Sequence, residues 1–85
     1  PWKNWDGTVS AGKRMIALIS HDLGKTWPEY TDVMKDPKQK IQYWESKIIE
    51  ISDNRLLGVA WAHDLSRNTD LPNSFALSYD GGKSW

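Results

Sequence analysis

The side chains able to do chemistry fall into two groups. The first is a repeated octet, Ser20-His21-Asp22-Leu23-Gly24-Lys25-Thr26-Trp27 and Ser78-Tyr79-Asp80-Gly81-Gly82-Lys83-Ser84-Trp85, whose Ser, Asp, Gly, Lys, Ser/Thr and Trp recur in register 58 residues apart. Its carboxylates could act as acids or bases, and its Gly-Lys-Thr/Ser ends like a phosphate-binding loop. That loop also needs a glycine five residues before the Gly of Gly-Lys, where this chain has Ile19 and Leu77. Nucleotide phosphate is therefore excluded as the octets' ligand. The second group is scattered: Asp6, Glu45, Trp61, His63, Asp64 and Arg67. His21 and His63 lack partners at metal-ligand spacing, and Asp64 and Asp70 do not fit a calcium loop, so neither a metal nor a cofactor is expected.

Read as a hairpin turn, the octet has a physical purpose. Its Asp accepts hydrogen bonds from turn amides, its Gly takes the positive backbone angle, its hydroxyls satisfy further turn groups, and its Trp packs beneath the hairpin. On this reading Ser20, Asp22, Gly24, Thr26, Trp27 and Ser78, Asp80, Gly82, Ser84, Trp85 are structural. Asp22 and Asp80 are then not catalytic acids.

The elements between the octets are short. Arg14 to Ser20 is an apolar run suited to a strand buried on both faces, and Trp27 to Asp36 follows as an edge strand that tolerates Pro28. A polar connection leads to a strand from Tyr43 to Ser52, which Asp53-Asn54 closes into a hairpin with Arg55 to His63. Residues 64–73 read as a polar loop, after which Ser74 to Ser78 forms a strand into the second octet. Repeated antiparallel units of doubly buried strands are the pattern of propeller blades, which predicts an all-β fragment of a β-propeller, about one and a half four-stranded blades. Residues 1–33 make the second half of one blade, 34–42 an inter-blade connection, and 43–85 the next blade. The alternative is a small self-contained β-domain.

Composition narrows the partners. Eleven basic residues balance eleven acidic ones, which gives no electrostatic case for nucleic acid or an anionic membrane surface. The chain has no cysteine and no apolar run of 18 residues, so neither disulfides nor a membrane-spanning helix is expected. Pro1 opens the sequence without a leader, so a targeting signal is expected outside these residues. Six tryptophans in 85 residues supply both buried area and flat platforms for ligands.

Both octets resemble the Asp-box, or BNR repeat, of the sialidase (neuraminidase) superfamily, matching it at every defining position. The resemblance covers the whole chain and implies a six-bladed propeller with the Asp-box on the hairpin between the third and fourth strands of a blade. It also implies a secreted or periplasmic glycosidase acting on carbohydrate, with the remaining blades as partners of this piece. Asp-boxes occur in non-catalytic propellers as well, so a glycan- or protein-binding propeller is the alternative.

Strand parity then locates a site. If the octets and the Asp53-Asn54 turn lie at one end, then 34–42, 64–73 and the start of the Tyr43 strand lie at the other, which in sialidase-like propellers carries the active site. Glu45 is expected to begin the innermost strand there. The segment from Trp44 to Ile51 resembles the sialidase segment whose Glu is the base that activates a Tyr nucleophile, the nucleophile itself being expected outside these 85 residues. The family's Arg on the following strand is missing from Val59-Ala60-Trp61-Ala62-His63, and Arg67 is the candidate substitute. Trp61, His63 and Asp64 complete the expected sugar contacts, a flatter and less cationic set suited to a neutral or differently substituted sugar. Asp6 precedes a third strand near the same end and is the candidate for the family's loop Asp, the general acid/base.

Overall fold

Turn chemistry sets the reversals of this chain. The structure, a computed structural model, describes residues 13–85, and within them Leu23, Gln39, Asn54 and Asn68 each take a positive φ at a connection between strands. These connections separate β1 (Arg14–Ile19), β2 (Glu29–Lys35), β3 (Ile41–Ser52), β4 (Arg55–Asp64) and β5 (Thr69–Ser78). All pairings are antiparallel. β1 and β2 form one sheet, β3-β4-β5 a second, and the described residues contain no helix.

Three hydrogen bonds fix the two ends. Gly81 N donates to Asn54 O (2.9 Å) and the Thr31 hydroxyl to Gly82 O (2.9 Å), so the second octet, the 53–54 turn and the start of β2 lie together. Leu65 N donates to Lys40 O (2.7 Å) and joins the other two connections at the opposite end.

The two octets fold alike. In each, the serine hydroxyl donates to the Asp (2.8 Å) and accepts from the Gly24 or Gly82 amide (2.8 Å). The same Asp accepts the Thr26 or Ser84 amide at 2.8 and 2.9 Å and, on its other oxygen, that residue's hydroxyl. These bonds stabilise the charged form, led by the Thr26 and Ser84 hydroxyls, and hold both Asp22 and Asp80 at a pKa of about 2 against an ordinary 3.8. Both carboxylates are hydrogen-bonded within their own turns.

The sheets stack face to face through a thin core of Met15, Val33, Met34, Tyr43, Ala60 and Ala62, with Trp85 packed against it. At Gly58 the two sheets approach too closely for a side chain. A Cβ there would stand 2.9 Å from Val33 Cγ1, 3.4 Å from Met15 Cε and 3.5 Å from the Trp85 ring. Beside it the Trp85 indole donates to the Thr31 hydroxyl (3.1 Å), which donates onward to Gly82 O. A side chain on one sheet thus ties the second octet to the other.

Three expectations change. Strands buried on both faces were expected; instead Gly58, Ala60 and Ala62 face the first sheet, while Trp61 and Phe75, on the other face, are 59% and 67% exposed. Both faces carry apolar residues, small inside and large outside, which hides the alternation. The 64–73 loop is in fact residues 65–68, because Asp64 accepts the Ser66 amide (2.9 Å) and Asn68 supplies a positive φ, closing a tight turn between polar strand ends. Pro72 is tolerated in β5 because that strand lies at the sheet edge and the ladder breaks there. The third concerns β3, which begins at Ile41 rather than Tyr43, so Glu45 lies within the strand.

Two measurements test this packing. Gly58→Ala is expected to destabilise the fold by about 1–3 kcal/mol through overpacking, read as a lower urea midpoint. Because the folded pKa of Asp80 is depressed, its contribution is complete above an ordinary carboxylate pKa of 3.8 and is lost as pH falls towards about 2. Asp80→Asn should lower stability at neutral pH and flatten the acid limb across that window in pH-dependent denaturation.

Candidate functional site

Glu45 sits in a β-bulge. Trp44 pairs with Trp61 and Lys47 with Val59, so Glu45 and Ser46 together oppose Ala60. Glu45 has φ 48°, the left-handed conformation usually given to glycine at this kind of bulge, and β3 is an edge strand. Such a conformation costs a non-glycine residue about 1–2 kcal/mol. The bulge, and not the strand start, is what carries this carboxylate out of the pleat.

A second bulge lies across β4. Ala60 pairs with Ser74 and Ala62 with Leu71, so Pro72 and Asn73 oppose Trp61. The central strand is therefore flanked by an extra residue on each side at the level of Ala60 and Trp61. Trp61 stands exposed between them.

Two hollows follow from the bulges. One, of about 530 Å³, has Glu45, Ser46, Lys47, Ala60, Trp61 and Asn73 at its polar end and Ile49, Leu57 and Val59 beyond. The other, of about 340 Å³, is lined by Trp61, Ala62, Asp70, Leu71 and Asn73. Trp61 and Asn73 belong to both. An indole face offers a sugar's C–H surface a flat apolar partner, and the carboxylates and amide offer its hydroxyls hydrogen bonds.

The remaining expected contacts serve the hairpin. His63 Nδ1 lies 2.7 Å from Asp70 Oδ1, and its Nε2 lies 3.2 Å from Asn68 Oδ1. A doubly protonated ring donates to both oxygens, and the Asp70 hydrogen bond above all raises the His63 pKa over its ordinary value. Asp64 accepts the Ser66 hydroxyl (2.6 Å) and the amides of Ser66 and Arg67, which hold its carboxyl below the usual range, the Ser66 hydroxyl most strongly. Arg67 stays near it, with Nε 3.7 Å from Asp64 Oδ2. Neither Asp64 nor Arg67 lines either hollow, and His63 reaches the second through Asp70. Asp6 lies outside the described residues.

Tyr43 is no substitute nucleophile. It is packed in the core, where burial first and the Asp36 charge second push its phenol above the ordinary range, the reverse of activation. Arg14 pairs with Asp32 (3.1 Å) and Arg55 lies over the Tyr79 ring (5.8 Å), both away from Trp61. Among the described residues no cluster of three or more His, Cys, Asp or Glu could hold a metal. Sequence reasoning missed Ser46, Lys47 and Asn73. A Pro-Asn pair inside a strand pattern was the available signal for Asn73.

Comparison with protein-family models, curated proteins and solved structures finds no match for this chain.

The strain at Glu45 is measurable. Glu45→Gly is expected to raise stability by about 1 kcal/mol in urea denaturation, whereas Glu45→Ala, which keeps a Cβ in the left-handed region, should bring no such gain.

Proposed function

We propose that this chain forms part of a sialidase-like β-propeller glycoside hydrolase that removes a terminal sugar, sialic acid or a related one, with Glu45 as its principal catalytic residue. The observation that carries the reading is a carboxylate held in a strained bulge beside an exposed tryptophan, above a hollow large enough for a sugar ring. Strained non-glycine backbone collects at functional sites, where the surrounding structure compensates for it. Two octets with the same hydrogen-bond network, on two sheets stacked face to face, support the blade architecture. On this reading the open face of β3-β4-β5 is continued by a further blade, and Trp61 stands where that packing gives way to the site.

By the resemblance, Glu45 is the base for a Tyr nucleophile. A neutral phenol suits a substrate that bears its own carboxylate, since an anionic nucleophile would be repelled. Arg14, Arg55 and Arg67 all lie away from the hollow, while Lys47 lines it and is the cation placed to meet a substrate carboxylate, as a single charge without the bidentate geometry of an arginine. A secreted or periplasmic setting goes with the same family. A second reading, a non-catalytic propeller that binds glycan or protein, draws on the apolar stretch Ile49, Leu57 and Phe75, which suits binding as well as it suits packing.

The test is a panel of aryl glycosides turned over by the full-length protein and its Glu45→Gln variant. Loss of the base should lower kcat by at least about 100-fold on the active substrate. Equal turnover in the variant removes Glu45 from the mechanism.

A further inference from the structure

We infer that the Asp80-Gly81 bond is a latent isoaspartyl site, a place of spontaneous chain modification that the second octet keeps closed through its own hydrogen bonds. An Asp-Gly pair is open to this chemistry because glycine has no side chain to block the approach and its backbone turns freely. In the reaction the Gly81 nitrogen attacks Cγ of Asp80, its proton and the carboxyl's OH leave together as water, and a five-membered succinimide closes. Water then opens the ring at either carbonyl. Opening at the Asp80 main-chain carbonyl leaves the chain running through the side chain, as isoaspartate, with no net change in composition.

The folded octet denies this reaction each of its requirements. Its nucleophile is occupied, since Gly81 N donates to Asn54 O (2.9 Å). Its electrophile is held in place, Asp80 Oδ1 by the Ser78 hydroxyl (2.8 Å) and the Ser84 amide (2.9 Å), and Oδ2 by the Ser84 hydroxyl. The same bonds keep the carboxyl ionised, with a pKa of about 2, and a carboxylate has no OH to expel. Asp80 and Gly81 are themselves exposed, so burial does not keep water from the pair. In the first octet Leu23 stands at the place of Gly81, at φ 61°, and its side chain obstructs ring closure. Conversion at Asp80 cannot be undone by refolding. Isoaspartate adds a methylene to the chain and moves the carboxylate to Cα, so the octet no longer closes. Gly82 O and the Trp85 indole then lose the placing that brings both to Thr31, and the second octet comes away from the first sheet.

Isoaspartate formation in the full-length protein at neutral pH, located by mass spectrometry of its tryptic peptides, tests this. Asp6-Gly7, the other such pair in the sequence, falls in a separate peptide. Asp80 should convert at least about tenfold more slowly in the native protein than in urea, with Asp22 lagging far behind it in urea. Ser84→Ala removes the Oδ2 hydrogen bond and should speed native conversion by about tenfold. Met34→Ala weakens the core away from the octet's hydrogen bonds and should leave the native rate within about twofold, because the opening that matters is local. The inference is wrong if Asp80 fails to convert in urea or converts as fast in the native protein. It is equally wrong if Ser84→Ala has no effect, or if Met34→Ala speeds conversion as much as Ser84→Ala.

Discussion

Gly58 has no side chain because there is no room for one. Val33, Met15 and the Trp85 ring close over it from the first sheet and the second octet, and this contact limits what the facing positions of β4 can carry. With the sheets this close, the inner positions of β4 must be small, and they are Gly58, Ala60 and Ala62. The large residues of the same strand are left on the other face. Trp61 is exposed as a consequence of how tightly its neighbours are packed.

The site depends on that packing through register. β4 is central and held on one face by the core, and the extra residues lie on the two outer strands. Each carries one extra residue beside Trp61, and each thereby interrupts an open sheet edge that would otherwise present an unbroken row of hydrogen-bonding groups. The same bulges that shape the hollows also discourage edge-to-edge association. Backbone strain at Glu45 is tolerable because the ladder resumes on both sides of it, at Trp44 and at Lys47.

How much of this could be read from the residues varies with the kind of interaction. The hydrogen-bonded turns of the octets were legible, since each bond in them is local, but the tryptophans were not alike: Trp85 packs against the core and Trp27 is largely exposed. The Asp53-Asn54 hairpin and the two ends were legible for the same local reason. Polar composition misled at 64–73, because edge strands accept polar residues as readily as loops do. Small inner and large outer side chains look alike to a hydrophobicity pattern, so the one-sided covering of the sheet was hidden. Bulges built from Glu-Ser and Pro-Asn carry no glycine to announce them, which is why Glu45 was expected at a strand start and Asn73 was not singled out. Gly58 was silent, since its role exists only when the first sheet is in place.

The two octets differ at one backbone-critical position: Leu23 takes φ 61° where its counterpart Gly81 takes φ 73°, each followed by a glycine at about 90°. Four shared hydrogen bonds hold the leucine in a conformation it would not choose, and its side chain hangs fully in solvent. The cage therefore constrains the path of the chain more strictly than the identity of the residue that follows it. Over time such a turn can shed its recognisable letters one by one while its shape stays fixed, so kinship among these repeats should outlast its own spelling.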